Sequence, residues 1–504
     1  MSASSAFTKN WKMTLISPLH VGDGNKLFMN LDFRVRPTGI EVIDFNALSE
    51  QLADIPGAIH DLSKDVRLER IIQDYKLSFQ PMYTLKYTGA MNPKEIRSFL
   101  KNAHGEVYIA GSTLKGAIHT ALWTGLDMSG IPSPRVGNKD TYKTRFRKKV
   151  EQLGGGDPYH MFIRPLQVSD STSLIPQGNL SCEEIKFFNL QFKNQPGWKD
   201  FSSKTTVADF RKASGMHVEA LRQGVSLVAQ VHIDPLLAEE TIRHAAGIKR
   251  SEHVSSFDRM IARIREHSKQ IAERERAFFQ QYGRETQGVV DFYDRLIRRM
   301  DDVADTSDSF ILRMAWGSGW RGMTGDWISD EDMTFIRENE FEKLGKPRVR
   351  IFPKTRRLAV DPNTETPSLP LGWVLVEPVE TEAFRRVFLS AATQDRPTES
   401  TGSRAVSSSP AQPVSLAPAN DPQTLRAEKL NNFQQRLNAV KTLQAEVEQW
   451  IQTVRRETDT DTKRQMASML LQKAEALPKK AYANALKEKK LWATRLKELV
   501  DETR

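Results

Sequence analysis

Cysteine is almost absent: Cys182 stands alone in a chain of 504 residues. That excludes an intramolecular disulfide and any cysteine-based zinc cluster. No apolar run approaches the roughly 18–20 residues a membrane helix needs. The opening MSASSAFTKNWKM lacks the apolar stretch of a secretory signal. Together these absences predict a cytoplasmic, reduced protein with no membrane partner. A complete nucleotide-hydrolase loop is missing too. In Gly111-Ser-Thr-Leu-Lys-Gly116 the second glycine is followed by Ala117 and Ile118, not by Lys and Ser or Thr. ATP hydrolysis is not expected there, because the final Lys-Ser/Thr pair that reaches the terminal phosphates and binds magnesium is lacking. No cofactor and no metal set emerge from the remaining residues.

What is present is length and positive charge. At 57.3 kDa the chain is too long for one ordinary core. Its net charge is +10, and a basic excess favours polyanionic partners, since cations placed on phosphates release counterions. Strand and helix patterns are mixed, with antiparallel hairpins, which predicts an α+β class. LDFRVRPTGIEVIDF reads as a hairpin turning at Pro37-Thr38-Gly39. NPKEIRSFLKNA reads as a helix, and GMHVEALRQ with VSLVAQVHID as a strand pair turning at Gly224. The expected layout is an N-terminal unit over 1–156 and a second over 157–393, with a helical insertion at about 236–302. A flexible Ser/Pro-rich linker over 394–424 and a helical extension over 425–504 complete it. The basic, glycine-ended stretch 129–156 is expected to be a junction or mobile loop.

Three glycine-containing turns carry the chemistry. The first, VYIAGSTLKGAIHTAL, is a strand-turn-helix whose Ser112 or Thr113 can cap the helix. First-turn amides, the helix dipole and Lys115 would then favour an anion. An ordinary capped corner explains the same residues. The second turn is Trp316-Gly317-Ser318-Gly319-Trp320-Arg321-Gly322, which satisfies G-x-G-x-x-G after a strand. The polar TGDWISDEDM that follows does not suit a dinucleotide-binding helix. Glycines beside an indole and a guanidinium fit close approach to a phosphodiester and stacking on bases. The third is Pro18-Leu19-His20-Val21-Gly22-Asp23-Gly24. His20 is a candidate acid or base for RNA cleavage, or else an RNA contact or a packing group. Asp23, Asp32 and Asp170 are candidates for metal-assisted cleavage or plain turn carboxylates.

LISPLHVGDG, YIAGSTLKGAIHTAL and MAWGSGWRGMTG, in that order, resemble the RAMP superfamily of CRISPR effector complexes. RPLQVSDS, IFPKTRRLAV and PLGWVLVEP narrow the resemblance to the fifth-subunit branch of type III-A (Csm) interference complexes. It spans about Lys12–Pro378 and leaves out the linker and extension. Ala110 stands where proline is common in the family, and His119 where arginine is frequent, so a fixed positive charge is missing from the motif helix. The resemblance implies tandem ferredoxin-like (RRM-like) domains. It implies a non-enzymatic subunit that binds CRISPR RNA, caps the filament near the RNA 3′ end and is needed for maturation. Its implied partners are the other Csm subunits, chiefly the adjacent repeated backbone subunit, with host ribonucleases recruited for trimming and target RNA met indirectly. A RAMP endoribonuclease using His20 is the competing reading. The RNA-binding set expected on this basis is His20, Gly22, Gly24, Ser112, Thr113, Lys115, Gly116, His119, Gly317, Ser318, Gly319, Trp320, Arg321, Gly322, Lys354, Arg356 and Arg357.

Overall fold

The computed structural model describes residues 7–53, 68–87 without 79, 93–124, 159–190, 195–248 without 204, 254–304, 308–324 and 353–380, together with residue 55 and parts of 430–503. The expected linker, the basic stretch 129–156 up to residue 158, and residues 351–352 of IFPKTRRLAV lie outside them. Two compact units are present, Met1–Thr398 and Glu399–Arg504.

The first unit is built on two sheets. One has five strands among the described residues, in the order Phe310–Arg313, Trp373–Val379, Thr8–Leu15, Ser226–Ile233, Leu166–Val168. Its central strand, TKNWKMTL, alternates, so Trp11, Met13 and Leu15 are buried while Lys12 and Thr14 are half-buried. Trp11 meets Phe257 and Phe310 edge-on, with centroids at 5.8 and 5.0 Å. Phe257 begins the long helix Phe257–Gln280, whose start is capped by Ser256. Met260, Ile261 and Ile264 follow Phe257 at helical spacing into the same core.

The second sheet runs Gly22–Phe28, Glu95–Phe99, Met216–Leu221, Leu180–Leu190, Pro81–Tyr87, Gly39–Ile43, Phe33–Arg36. Its middle strand, Leu180–Leu190, is buried at all eleven positions because both faces are covered. The charged residues inside it are paired: Lys186 bonds Glu184 at 2.8 Å and the Ala213 carbonyl at 2.8 Å. The Arg36↔Gly39 register confirms the Pro37-Thr38 hairpin.

Two expectations are corrected. NPKEIRSFLKNA is not a helix: Glu95–Phe99 is a strand between Gly22–Phe28 and Met216–Leu221. Lys, Glu and Arg suit a helix by propensity, but Ile96 and Phe99 are fully buried in the second sheet, and tertiary pairing wins. Nor do Met216–Leu221 and Ser226–Ile233 pair with each other. Gly224, at φ +86, turns the chain from one sheet into the other. Strands from both sides of residue 156 therefore share each sheet. The observed class is mixed α+β with two curled sheets, as expected of RAMP-type ferredoxin-like domains.

The helices over 235–304 pack on these sheets through Phe278, Phe279, Val289, Tyr293 and Leu296. The second unit has its own core, including Leu437, Ile451, Val454, Leu470, Leu496 and Leu499. Asp459 in the TDTDT run caps helix Thr460–Glu475, its carboxylate accepting from the Thr462 N–H at 2.9 Å. Among the described residues, no helix is long and apolar enough to cross a membrane.

Candidate nucleic-acid interface

The three glycine turns, separated by nearly 300 positions, meet at one cleft of ≈ 650 Å³. His20, Gly22 and Gly24 come from the first turn, and Ser112, Thr113 and Gly116 from the motif helix Gly111–Thr124. Trp316, Ser318 and Gly322 come from the late loop. Main-chain bonds fix the meeting: the Trp316 N–H donates to the His20 carbonyl (3.2 Å), and Leu19 exchanges bonds with Leu221 (3.1 and 2.8 Å).

The motif helix turns one stripe to the cleft. Ser112, Gly116 and Thr120 recur every four residues with Thr113 and Ala117 beside them. Lys115 and His119 lie in the next row and are not brought to it. The Lys115 ammonium donates to the Leu166 carbonyl at 2.6 Å, and its half-burial lowers its pKa. The His119 Nε2 accepts from the Trp123 indole at 2.7 Å, and the ring packs on Phe162. Burial first, then Lys115, pushes the His119 pKa down to about 4. The expected lysine clamp is thus a structural tether.

Ser112 and Thr113 do not cap the helix either. Both lie inside it, and the Gly111 N–H is met by the Asp170 carboxylate at 2.7 Å. A carboxylate already occupies the anion position at that helix start. Gly111 serves packing: a Cβ there would strike the Val168 carbonyl oxygen and lie 2.7 Å from that of Ser169. Asp32 and Asp23 are turn carboxylates, accepting from the main-chain N–H groups of Phe28 and Asn25, each at 2.8 Å. No cluster of potential metal ligands exists among the described residues.

His20 is buried, yet its ring borders the cleft. Its Nδ1 lies 2.6 Å from the Glu219 carbonyl oxygen, so Nδ1 carries the proton and Nε2 is left as an acceptor. Burial lowers its pKa against the opposing pull of that carbonyl, which keeps the ring neutral. Nε2 stands 3.0 Å from where a Cβ of Gly22 would be, so glycine is what leaves room for the imidazole.

Beneath His20, the Glu219 side chain is fully buried. It accepts from the Tyr83 hydroxyl (2.6 Å), the Phe99 N–H (2.8 Å) and the Lys101 ammonium (2.6 Å). Burial, with the adjacent carboxylate, raises the Tyr83 pKa far above its usual range.

The late loop is divided. Gly317 and Gly319 have φ of +96 and +86, which glycine alone adopts readily. Ser318 and Gly322 border the cleft, whereas Gly317, Gly319, Trp320 and Arg321 do not. Trp320 packs on the first core, and the cleft indole is Trp316 instead.

The basic strand end is also corrected. Arg356 pairs with Glu275 at 2.8 and 3.0 Å, and its guanidinium lies 3.9 Å from the Phe278 ring centre. Lys354 does not border the cleft; its carbonyl accepts from the Leu190 N–H. Arg357 does not border the cleft itself but lies over its indole, Trp316, at 4.9 Å from the ring centre. Sequence reasoning missed Arg97, Ser98, Asn25 and Lys26, all bordering the cleft. Arg97 was hidden by the helical reading of its segment. Asn25 and Lys26 lie on the strand Gly22–Phe28, which carries the third glycine turn onward.

Residues 12–321 match the family model described as the RAMP superfamily. No curated protein matches the chain. Among solved structures, a chain of the cryo-EM Csm–crRNA–target RNA ternary complex of a type III-A CRISPR-Cas system aligns with a TM-score of 0.52 and 23% identity. The alignment covers 73% of this chain and 100% of that one. At that identity, the likeness is one of fold.

Proposed function

Because this chain belongs to the RAMP superfamily, we infer that it is an RNA-binding structural subunit of a type III-A CRISPR complex. One observation carries the reading: three turns far apart in sequence converge on one cleft whose described border contains hydroxyls, glycines, an indole and cations. Glycine and serine let an RNA backbone approach main-chain amides, and an indole offers a platform for bases. The likeness in fold to a chain from a Csm–crRNA–target RNA complex supports CRISPR RNA and neighbouring Csm subunits as partners. In this reading the chain sits near the CRISPR RNA 3′ end in the cytoplasm. It assists maturation by helping recruit host nucleases, and it is not itself an enzyme.

The described residues bordering the cleft supply one imidazole, His20, and no carboxylate or second imidazole. General acid–base cleavage of RNA works best with a complementary pair, so an oriented His20 fits contact better than catalysis. The test is fluorescence anisotropy of the full chain with repeat-derived and unrelated single-stranded RNA, alongside incubation with the same RNA. Binding without cleavage supports the reading. Specific cleavage abolished by His20→Ala establishes the endoribonuclease instead, and absence of RNA binding refutes both.

A further inference from the structure

Two arginines flank the cleft indole Trp316, Arg97 in the cleft lining and Arg357 next to it, with no ion pair for either among the described residues. Arg97 projects from strand Glu95–Phe99 and Arg357 from strand Thr355–Val360. Their guanidinium carbons lie 5.7 and 4.9 Å from the centre of the same Trp316 ring. His20 holds that ring edge-on, with centroids at 5.5 Å and planes at 86°. Among the described residues neither guanidinium has a hydrogen bond or ion pair, and each has its Nε buried without a partner. A guanidinium offers five donors and always carries its charge. Leaving two of them partly dehydrated against one indole, close enough for their charges to repel, is unfavourable on both counts. Burial and then the nearby Arg97 both disfavour the Arg357 charge, lowering its pKa from the ordinary arginine value. Arg356, the next residue, shows the ordinary solution, since its charge is answered by Glu275.

We propose that Arg97 and Arg357 form a phosphate subsite at the cleft edge, with the Trp316 indole as the platform that holds both guanidiniums. The fold tolerates the unanswered charge because a phosphate supplies the missing acceptor, as strained arrangements at binding sites require. The ligand is a phosphate group, whether an internal phosphodiester of a single strand or a terminal phosphomonoester. The biological identity of that ligand rests on the RNA-binding reading above; the chemistry of the subsite does not.

Two measurements on the full chain separate these dependencies. In the first, thermal unfolding is followed as inorganic pyrophosphate is added at constant ionic strength. The wild type is stabilised by a few degrees. Arg97→Met and Arg357→Met leave the pyrophosphate-free Tm unchanged or higher, because a repulsion is relieved, and they lose the stabilisation. A lowered starting Tm with the pyrophosphate response intact marks the arginines as purely structural and overturns the proposal, as does no response in the wild type. In the second, anisotropy is measured with single-stranded RNA, with and without a terminal phosphate, over a range of salt. Removing one arginine flattens the log–log salt slope by about 0.7, or about 2.6-fold in affinity over a fourfold change in salt. Equal flattening with both RNAs identifies an internal phosphodiester, and an effect confined to phosphorylated RNA identifies the terminus. Unchanged slopes remove the arginines from the RNA path and leave the RNA-binding reading standing. A pyrophosphate response without any RNA binding does the reverse.

Discussion

Replacing Glu219 separates a buried polar anchor from the groups that touch ligand. Three donors converge on its carboxylate, and its side chain is fully buried while that of Lys101 keeps 17% of its surface exposed. In Glu219→Gln the shape survives. The amide oxygen can take the Phe99 N–H and the Lys101 ammonium, and the Tyr83 hydroxyl can turn to accept from the amide nitrogen. Only the charge is lost. Breaking a fully buried ion pair costs about 3–5 kcal/mol, and partial exposure of Lys101 brings the expected loss to about 2–3 kcal/mol. Glu219→Ala additionally strands the Tyr83 hydroxyl and the Phe99 N–H, each at about 1–3 kcal/mol. The total, about 4–9 kcal/mol, overlaps the whole stability of a typical domain. Urea unfolding followed by circular dichroism reads both variants. The two units have separate cores, so two transitions are expected, of which only that of the first unit moves. His20 is held by the Glu219 main chain, so Glu219→Gln keeps wild-type RNA affinity. Variants within about 1 kcal/mol of each other would refute the three-donor account, since then the stranded donors have found partners elsewhere.

Gly111→Ala forces a methyl onto the carbonyls of Val168 and Ser169, at a cost of about 1–3 kcal/mol read from the urea midpoint. Gly116→Ala meets nothing within 4 Å and gains up to about 1 kcal/mol as a helix interior; because Gly116 borders the cleft, its RNA affinity falls. Arg356→Ala leaves Glu275 buried without its cation, costs about 3–5 kcal/mol near neutrality and leaves the RNA salt slope unchanged. Burial opposes ionisation of Glu275, but Arg356 holds its folded pKa below the ordinary value. The wild-type contribution is therefore present above the ordinary Glu range and is lost as pH falls through the lowered value. In the variant burial raises that pKa, so the deficit seen by urea unfolding shrinks as pH falls. Lys115→Ala keeps the RNA salt slope of the wild type, because its ammonium is spent on the Leu166 carbonyl; a slope flattened by about 0.7 returns it to the RNA path.

Local pattern settled much of this protein. The lone cysteine, the Pro37-Thr38 turn and the three glycine turns are all visible in the one-dimensional chain, because each depends on a few adjacent residues. The α+β class and the family resemblance follow from the same local signals. What the chain alone left open was partnership across distance. Whether Lys115 or Arg97 faces the cleft depends on which helix row or strand face the rest of the fold covers. Arg356 and Arg357 are neighbours with opposite fates because Glu275, about 80 positions away, reaches only the first. Asp170 displaces Ser112 as the partner of the motif helix, and Trp316 displaces Trp320 as the cleft indole, for the same reason. Charge, burial and hydrogen bonding are decided by what packs alongside, and that is a property of tertiary structure.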